Sequence, residues 1–225
     1  MSEIVLHHCP QTRSMRSLWL LHELEVPFQI VVHSFDKSLR DPSYLALSPA
    51  GRVPALEIDG ERMFETGAIT QYLCERFPDA GLGRDVGNPD RMAWLVWVNF
   101  AETVSQHIAA LTQQHIMLYD DAMRSPVVMK LEAARLSKCY DAIEARLSTP
   151  IENRDMLLTS GFSAADISVG QAVYLGQKFC TLERHPATAR WFAQLSERPA
   201  FKASLPSEDA QLYTKPFYPA WEPST

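Results

Sequence analysis

The sequence predicts an α/β plus all-α protein, a small mixed domain followed by a larger helical one. Three observations carry this. β-favouring runs alternate with leucine-rich, helix-like stretches over residues 1–77. A Gly- and Pro-rich stretch, "PDAGLGRDVGNP", fills residues 78–89 and reads as a linker. Beyond Pro89 the apolar residues recur at spacings of three and four, the period of amphipathic helices.

"EIVLHH" is a short β-favouring run, and "SMRSLWLLHELEV" after Pro10 has a helical pattern that Pro27 stops. "FQIVVHSF" reads as a second strand. "RVPALEIDGERMF" holds two strands around Asp59-Gly60, a pair suited to the positive φ angles of a type I′ turn. "ETGAITQYLCERF" then reads as a helix ending at Pro78.

In the second half, Trp94, Trp97, Ala101, Val104, Ile108 and Leu111 form one apolar stripe. Met129, Ala133, Leu136, Tyr140, Ile143 and Leu147 form another, and the two should pack together as in a bundle. "ISVGQAVYLG" is apolar on nearly every side, the mark of a helix buried at the centre. Ser163 and Asp166 before it have capping-box spacing. "PATARWFAQLSE" gives a further helix, and residues 206–225, rich in proline and aromatics, form an extended tail. The helical domain is thus expected over residues 90–205.

Composition narrows the function. The 225-residue chain is 46% apolar and 21% charged, ordinary for a globular protein. A net charge of −6 and scattered Lys and Arg argue against nucleic acid as a partner. No apolar run approaches bilayer length and the N-terminus has no signal-peptide pattern, so no membrane partner is expected. Cys9, Cys74, Cys139 and Cys180 are far apart, without metal or dithiol spacing; a reducing cytoplasm and no metal cofactor fit best. "GLGRDVG" lacks both the spacing and the preceding strand of a dinucleotide fingerprint.

"SPAGRVPALEIDGERMFETGAITQYL", residues 48–73, resembles the glutathione-binding motif of the cytosolic glutathione transferases. "GFSAADISVG" resembles the capping motif of their helical domain, and "HPATARWFAQLSERPAF" their late helix. The match covers roughly residues 3–201 and leaves the tail out. The resemblance implies a thioredoxin-like N-terminal domain over residues 1–77, a homodimer, glutathione as co-substrate, and a small electrophile or peroxide as second substrate. It makes Pro54 a cis-proline and gives the Val53 backbone to the cysteinyl unit of glutathione. It gives Glu65 and Thr66 to the γ-glutamyl end, and makes Arg52, Lys37 and Arg40 candidate cations for the carboxylates. Thr66 stands for the family's usual serine and Arg52 for its lysine, changes that keep hydroxyl and charge.

Such an enzyme must hold glutathione as a thiolate. Lowering a thiol pKa of about 8.5 by two needs roughly 2.7 kcal/mol. One hydrogen bond to a charged acceptor contributes about 1.5–3 kcal/mol. "HHCPQTRSMR", residues 7–16, offers three candidates: Cys9, Thr12 and Ser14. Counted back from Arg16, Thr12 occupies the place of the hydroxyl in serine-type transferases, as in bacterial and fungal members. Cys9-Pro10 occupies that of the thiol in omega-like, cysteine-type members. Thr12 leads as thiolate donor, with Cys9 as a covalent thiol-transfer partner the alternative. A non-catalytic glutathione-binding or regulatory protein is a third reading. For the second substrate, His8 at the strand end and Phe100, Thr103 and His107 on the first long helix are candidates, whereas His115 reads as a packed histidine.

Overall fold

In the computed structural model, residues 3–149 and 154–222 are described, and the chain falls into two compact units. The first unit is built on a four-stranded sheet of order β2-β1-β3-β4. Strand β1 (Ile4–His8) pairs in parallel with β2 (Gln29–Val32) and antiparallel with β3 (Ala55–Ile58), which pairs antiparallel with β4 (Glu61–Phe64). This is the thioredoxin-like fold that the motif implied. Between β3 and β4, Asp59 and Gly60 take φ of 51° and 85°, the positive values read from Asp-Gly.

Residues alternate across the pleat, so Ile4, Leu6, Leu56 and Ile58 share one face, and all four are buried. Helices α1 (Ser14–Glu23) and α3 (Thr66–Arg76) accompany that sheet, while the short α2 (Pro42–Leu45) precedes β3. Tyr44 on α2 packs with Leu39 and Ala55 in a small satellite cluster. Gly51, just before the cis Val53–Pro54 bond, has a φ of 59°. A Cβ there would lie 2.9 Å from the Leu39 carbonyl oxygen, so glycine is the residue this turn admits.

The second unit contains the two long helices, α4 (Arg91–Thr112) and α5 (Pro126–Leu147), with the predicted stripes largely buried. In α6 (Ala164–Gly176) nearly every residue is buried. Its start carries a complete capping box between Ser163 and Asp166. Helix α7 (Pro186–Ser196) begins on the Glu144 carboxylate, which accepts from the Ala187 and Thr188 amides at 3.0 and 2.8 Å.

Two parts of the C-terminal region run differently from a plain helical domain and tail. Ser196–Leu212, with α8 (Pro199–Ser204), groups with the first unit. There Arg198 donates two 2.6 Å bonds to Glu23 of α1, and Phe201 meets Trp19 edge-on at 4.9 Å. From Tyr213 the chain belongs to the second unit. Tyr213 hydroxyl pairs with Thr112, the Phe217 amide donates to the Lys178 carbonyl, and Ala220 accepts from His115 Nε2 at 2.7 Å. His115 also stacks on Phe217 at 4.6 Å, so it is packed, as its place on the apolar stripe suggested. It sits in a π-helical turn, Gln113–Met117, that continues α4.

Candidate functional site

The strand register gathers the motif residues. His7 pairs with Ala55, and Ala55 with Phe64, while His8 pairs with Val32. The C-terminal ends of β1, β2 and β4 and the N-terminal end of β3 therefore lie along one end of the sheet. Out of that end emerge residues 9–13, the segment holding Lys37 and Arg40, the turn Arg52–Pro54, and Glu65–Thr66. Phe100, Thr103 and His107 stand on α4 in the other unit.

At this end Val53–Pro54 is cis, Val53 is half-buried and Arg52 is exposed. The Arg52 carbonyl accepts from the Tyr44 hydroxyl at 2.9 Å, which ties the turn to α2. Glu65 has φ 75° and ψ 113°, a conformation L-residues rarely adopt, directly before α3. The Glu65 side chain makes no cap hydrogen bond to this helix, whose start carries exposed Glu65 and buried Thr66. Lys37 and Arg40 lie on a 3-10 turn, both exposed.

Residues 8–14 form one hydrogen-bond cluster. Ser14 Oγ is fully buried and accepts from the Cys9 amide at 3.0 Å. It also lies 2.9 Å from His8 Nδ1, 2.9 Å from Thr12 Oγ1 and 3.1 Å from the Cys9 carbonyl. Thr12 is half-buried; its hydroxyl donates to the Cys9 carbonyl at 2.8 Å and accepts from the Ser14 amide at 3.3 Å. Burial, with Asp36 adding to it, pushes the Cys9 thiol up to about 11. Cys9 is thus a thiol at neutral pH, in surroundings opposite to those of a reactive cysteine. Burial takes His8 down to about 4, so that ring is neutral, and it is only 5% exposed.

Several participants were not read from the sequence. Behind the site, His7 Nδ1 lies 3.0 Å from His33 Nε2, and His7 Nε2 lies 3.1 Å from Glu57. A pair of ring nitrogens at that distance needs one donor and one acceptor. The pairing of β1 with β2 could have suggested His7 beside residue 33, but Tyr44 under the Arg52 turn has no local signal. On α4, His107 is buried with Nδ1 2.7 Å from Glu132, and Thr103 is exposed. Phe100 and His107 line an open cavity of about 340 Å³ with Arg135, Lys138, Cys139 and Ala142. Among the described residues no group of three or more His, Cys, Asp or Glu could hold a metal ion, and no helix is long and apolar enough to cross a membrane.

Known proteins resemble this chain in sequence and in fold. Residues 1–75 match the glutathione S-transferase N-terminal domain. Glutathione S-transferase GstB of Escherichia coli K12 is 27% identical over 201 residues, 85% of this chain and 91% of the relative. The crystal structure of glutathione transferase F7 from Populus trichocarpa superposes with a TM-score of 0.78 at 27% identity, covering 89% and 97% of the two chains. A sphingomonad glutathione S-transferase, complexed with glutathione, superposes with a TM-score of 0.74 at 25% identity, covering 89% and 96%.

Proposed function

We infer that this chain is a glutathione transferase that holds glutathione at the gathered end of the sheet and stabilises its sulfur as a thiolate. The observation that carries the reading is the register, which brings residues 9–13, Arg52–Pro54 and Glu65–Thr66 to one place. The Val53 backbone offers N–H and C=O for the cysteinyl unit, a strand addition in miniature. The uncapped start of α3 and the Thr66 hydroxyl receive the γ-glutamyl carboxylate, while Glu65 takes its ammonium. Arg52, Lys37 and Arg40 supply exposed cations for the carboxylates.

Thr12 is the thiolate donor in this reading. It is the half-buried hydroxyl of the cluster, whereas Ser14 is fully enclosed and Cys9 is held protonated by burial. That favours conjugation over thiol transfer through Cys9. The activated sulfur then attacks a small hydrophobic electrophile or a peroxide. A cytoplasmic homodimer belongs to the same reading, with Met92 and Val96 on α4 and Val127 and Leu131 on α5 as exposed apolar surface.

Calorimetric titration with glutathione tests the site. Binding at micromolar to millimolar glutathione is expected, weakened roughly 10-fold or more by Glu65→Gln or Thr66→Val through loss of a charge-assisted bond. No binding by the unaltered protein at millimolar glutathione, or equal binding by both variants, would overturn the assignment.

A further inference from the structure

Buried His8 lies outside every glutathione contact proposed above, yet its ring reaches the same cluster. We propose that His8 is a positioning residue for the reaction: its Nδ1–H donates to Ser14 Oγ and so directs the Ser14 proton toward Thr12. The proposal rests on the reading of Thr12 as thiolate donor and deepens it.

Counting protons selects this arrangement. A hydroxyl gives one hydrogen bond and accepts two. Ser14 Oγ has four polar neighbours within 3.1 Å: the Cys9 amide, His8 Nδ1, Thr12 Oγ1 and the Cys9 carbonyl. The amide can only donate and the carbonyl can only accept. If His8 Nδ1 accepted, Ser14 would spend its proton there, and Thr12 would have to choose between Ser14 Oγ and the Cys9 carbonyl. Choosing Ser14 leaves the carbonyl without either hydroxyl. Choosing the carbonyl leaves the 2.9 Å approach of the two hydroxyl oxygens without a proton. If His8 Nδ1 donates, Ser14 accepts from the ring and the Cys9 amide and gives its proton to Thr12 Oγ1. Thr12 then gives its own to the carbonyl, and of these contacts only the 3.1 Å approach of Ser14 Oγ to that carbonyl carries no proton.

The consequence reaches the sulfur. Thr12 Oγ1 accepts from Ser14 Oγ–H and from the Ser14 amide, so both lone pairs are engaged and the hydroxyl can act only as a donor. When a thiolate arrives, Thr12 turns its proton from the Cys9 carbonyl to sulfur, while the Ser14 Oγ–H stays on Thr12 Oγ1 and keeps it a donor. A ring that accepted would hold the Ser14 proton away from Thr12. A buried, neutral histidine keeps one protonation state through the working pH range, which suits a fixed donor.

The ultraviolet absorbance of enzyme-bound glutathione thiolate, followed against pH, tests this. In His8→Asn the side-chain amide stands near the position of Nδ1 and can still donate; in His8→Gln it stands near Nε2 and cannot reach Ser14. Both are polar, and thermal melts establish that each folds. We expect His8→Gln to raise the bound thiol pKa by roughly half a unit to one unit and His8→Asn to stay close to the unaltered protein. Turnover per bound glutathione at neutral pH should follow, roughly three- to tenfold lower in His8→Gln with little change in glutathione affinity. Equal thiol pKa values in the two variants would overturn the proposal, whether both match the unaltered protein or both rise. Thr12→Val separates the levels: if it leaves the bound thiol pKa unchanged, the underlying Thr12 reading fails, whereas a rise in Thr12→Val without one in His8→Gln removes only the role of His8.

Discussion

Replacing Thr12 by Val keeps the shape of the side chain and deletes its hydroxyl. A hydrogen bond to an ionised acceptor is worth about 1.5–3 kcal/mol, so losing it should raise the bound glutathione pKa by about one to two units. Near neutral pH that lowers turnover roughly 10- to 100-fold. The same hydroxyl donates to the Cys9 carbonyl at 2.8 Å and accepts from the Ser14 amide at 3.3 Å. The carbonyl keeps a second route through Ser14 Oγ, and the loss is confined to the long 3.3 Å bond from the Ser14 amide, so the structural cost should stay near 1 kcal/mol. Cys9→Ala is the counterpart. Its amide and carbonyl stay in the cluster and only a buried thiol is lost. Turnover should remain within about twofold, a change smaller than a single hydrogen bond. Steady-state rates with a nitroaryl chloride and with a glutathione mixed disulfide measure both variants. If Cys9→Ala abolished turnover of the mixed disulfide while Thr12→Val preserved it, the hydroxyl reasoning would be refuted and the covalent route through Cys9 restored.

Two further predictions concern stability. Asp166 is fully buried and accepts from the Leu157 amide, the Ser163 amide and Trp191 Nε1 at 2.9, 2.9 and 3.1 Å. Asp166→Ala strands three buried donors at about 1–3 kcal/mol each, so chemical denaturation should register a loss of roughly 4 kcal/mol or more; a loss below about 1 kcal/mol would show that the cluster is not the anchor of α6. His8 provides the pH dependence. With a folded value of about 4 against an ordinary 6.5, the native state binds fewer protons than the unfolded one between those limits. Stability therefore rises with pH through that window and is lost on acidification, by up to about 3 kcal/mol from this group. Denaturant midpoints between pH 7 and 4.5 should fall less steeply in His8→Asn than in the unaltered protein, and equal slopes would count against the buried neutral ring.

What was legible in the sequence was mostly local. Asp59-Gly60 announced its hairpin because positive φ is a property of two adjacent residues. Ser163 and Asp166 announced the start of α6 because a capping box closes over three positions. The helical stripes were visible because the 3.6-residue period repeats over many turns. The features that escaped depend on partners distant in the chain. Arg198 meets Glu23 of α1 across 175 positions, and so draws α8 to the first unit. Likewise, His115 holds Ala220 across 105 positions, and nothing in "QQHIM" or "YPAW" signals it. Glu65 is a different case: its φ of 75° is imposed by the surroundings against local preference, so residue type points away from it.

The motif "HCPQTRS" was ambiguous for the same reason, because it lists three sulfur-handling groups without saying which are enclosed. Burial is what favours Thr12 in the proposed reading. Cys9 stands five positions before α1 begins, with its amide donating to Ser14 Oγ at the start of that helix. Burial and Asp36 both favour its protonated form, and a thiol near 11 is about one part in ten thousand thiolate at pH 7. Ser14 is fully enclosed, with its amide and hydroxyl both engaged within the cluster. Thr12 alone of the three combines partial exposure with a hydroxyl whose lone pairs have donors from the protein. In the proposed reading the backbone of Cys9, the hydroxyl of Ser14 and the ring of His8 form the frame that orients one proton at Thr12, and the reacting sulfur is left to the ligand.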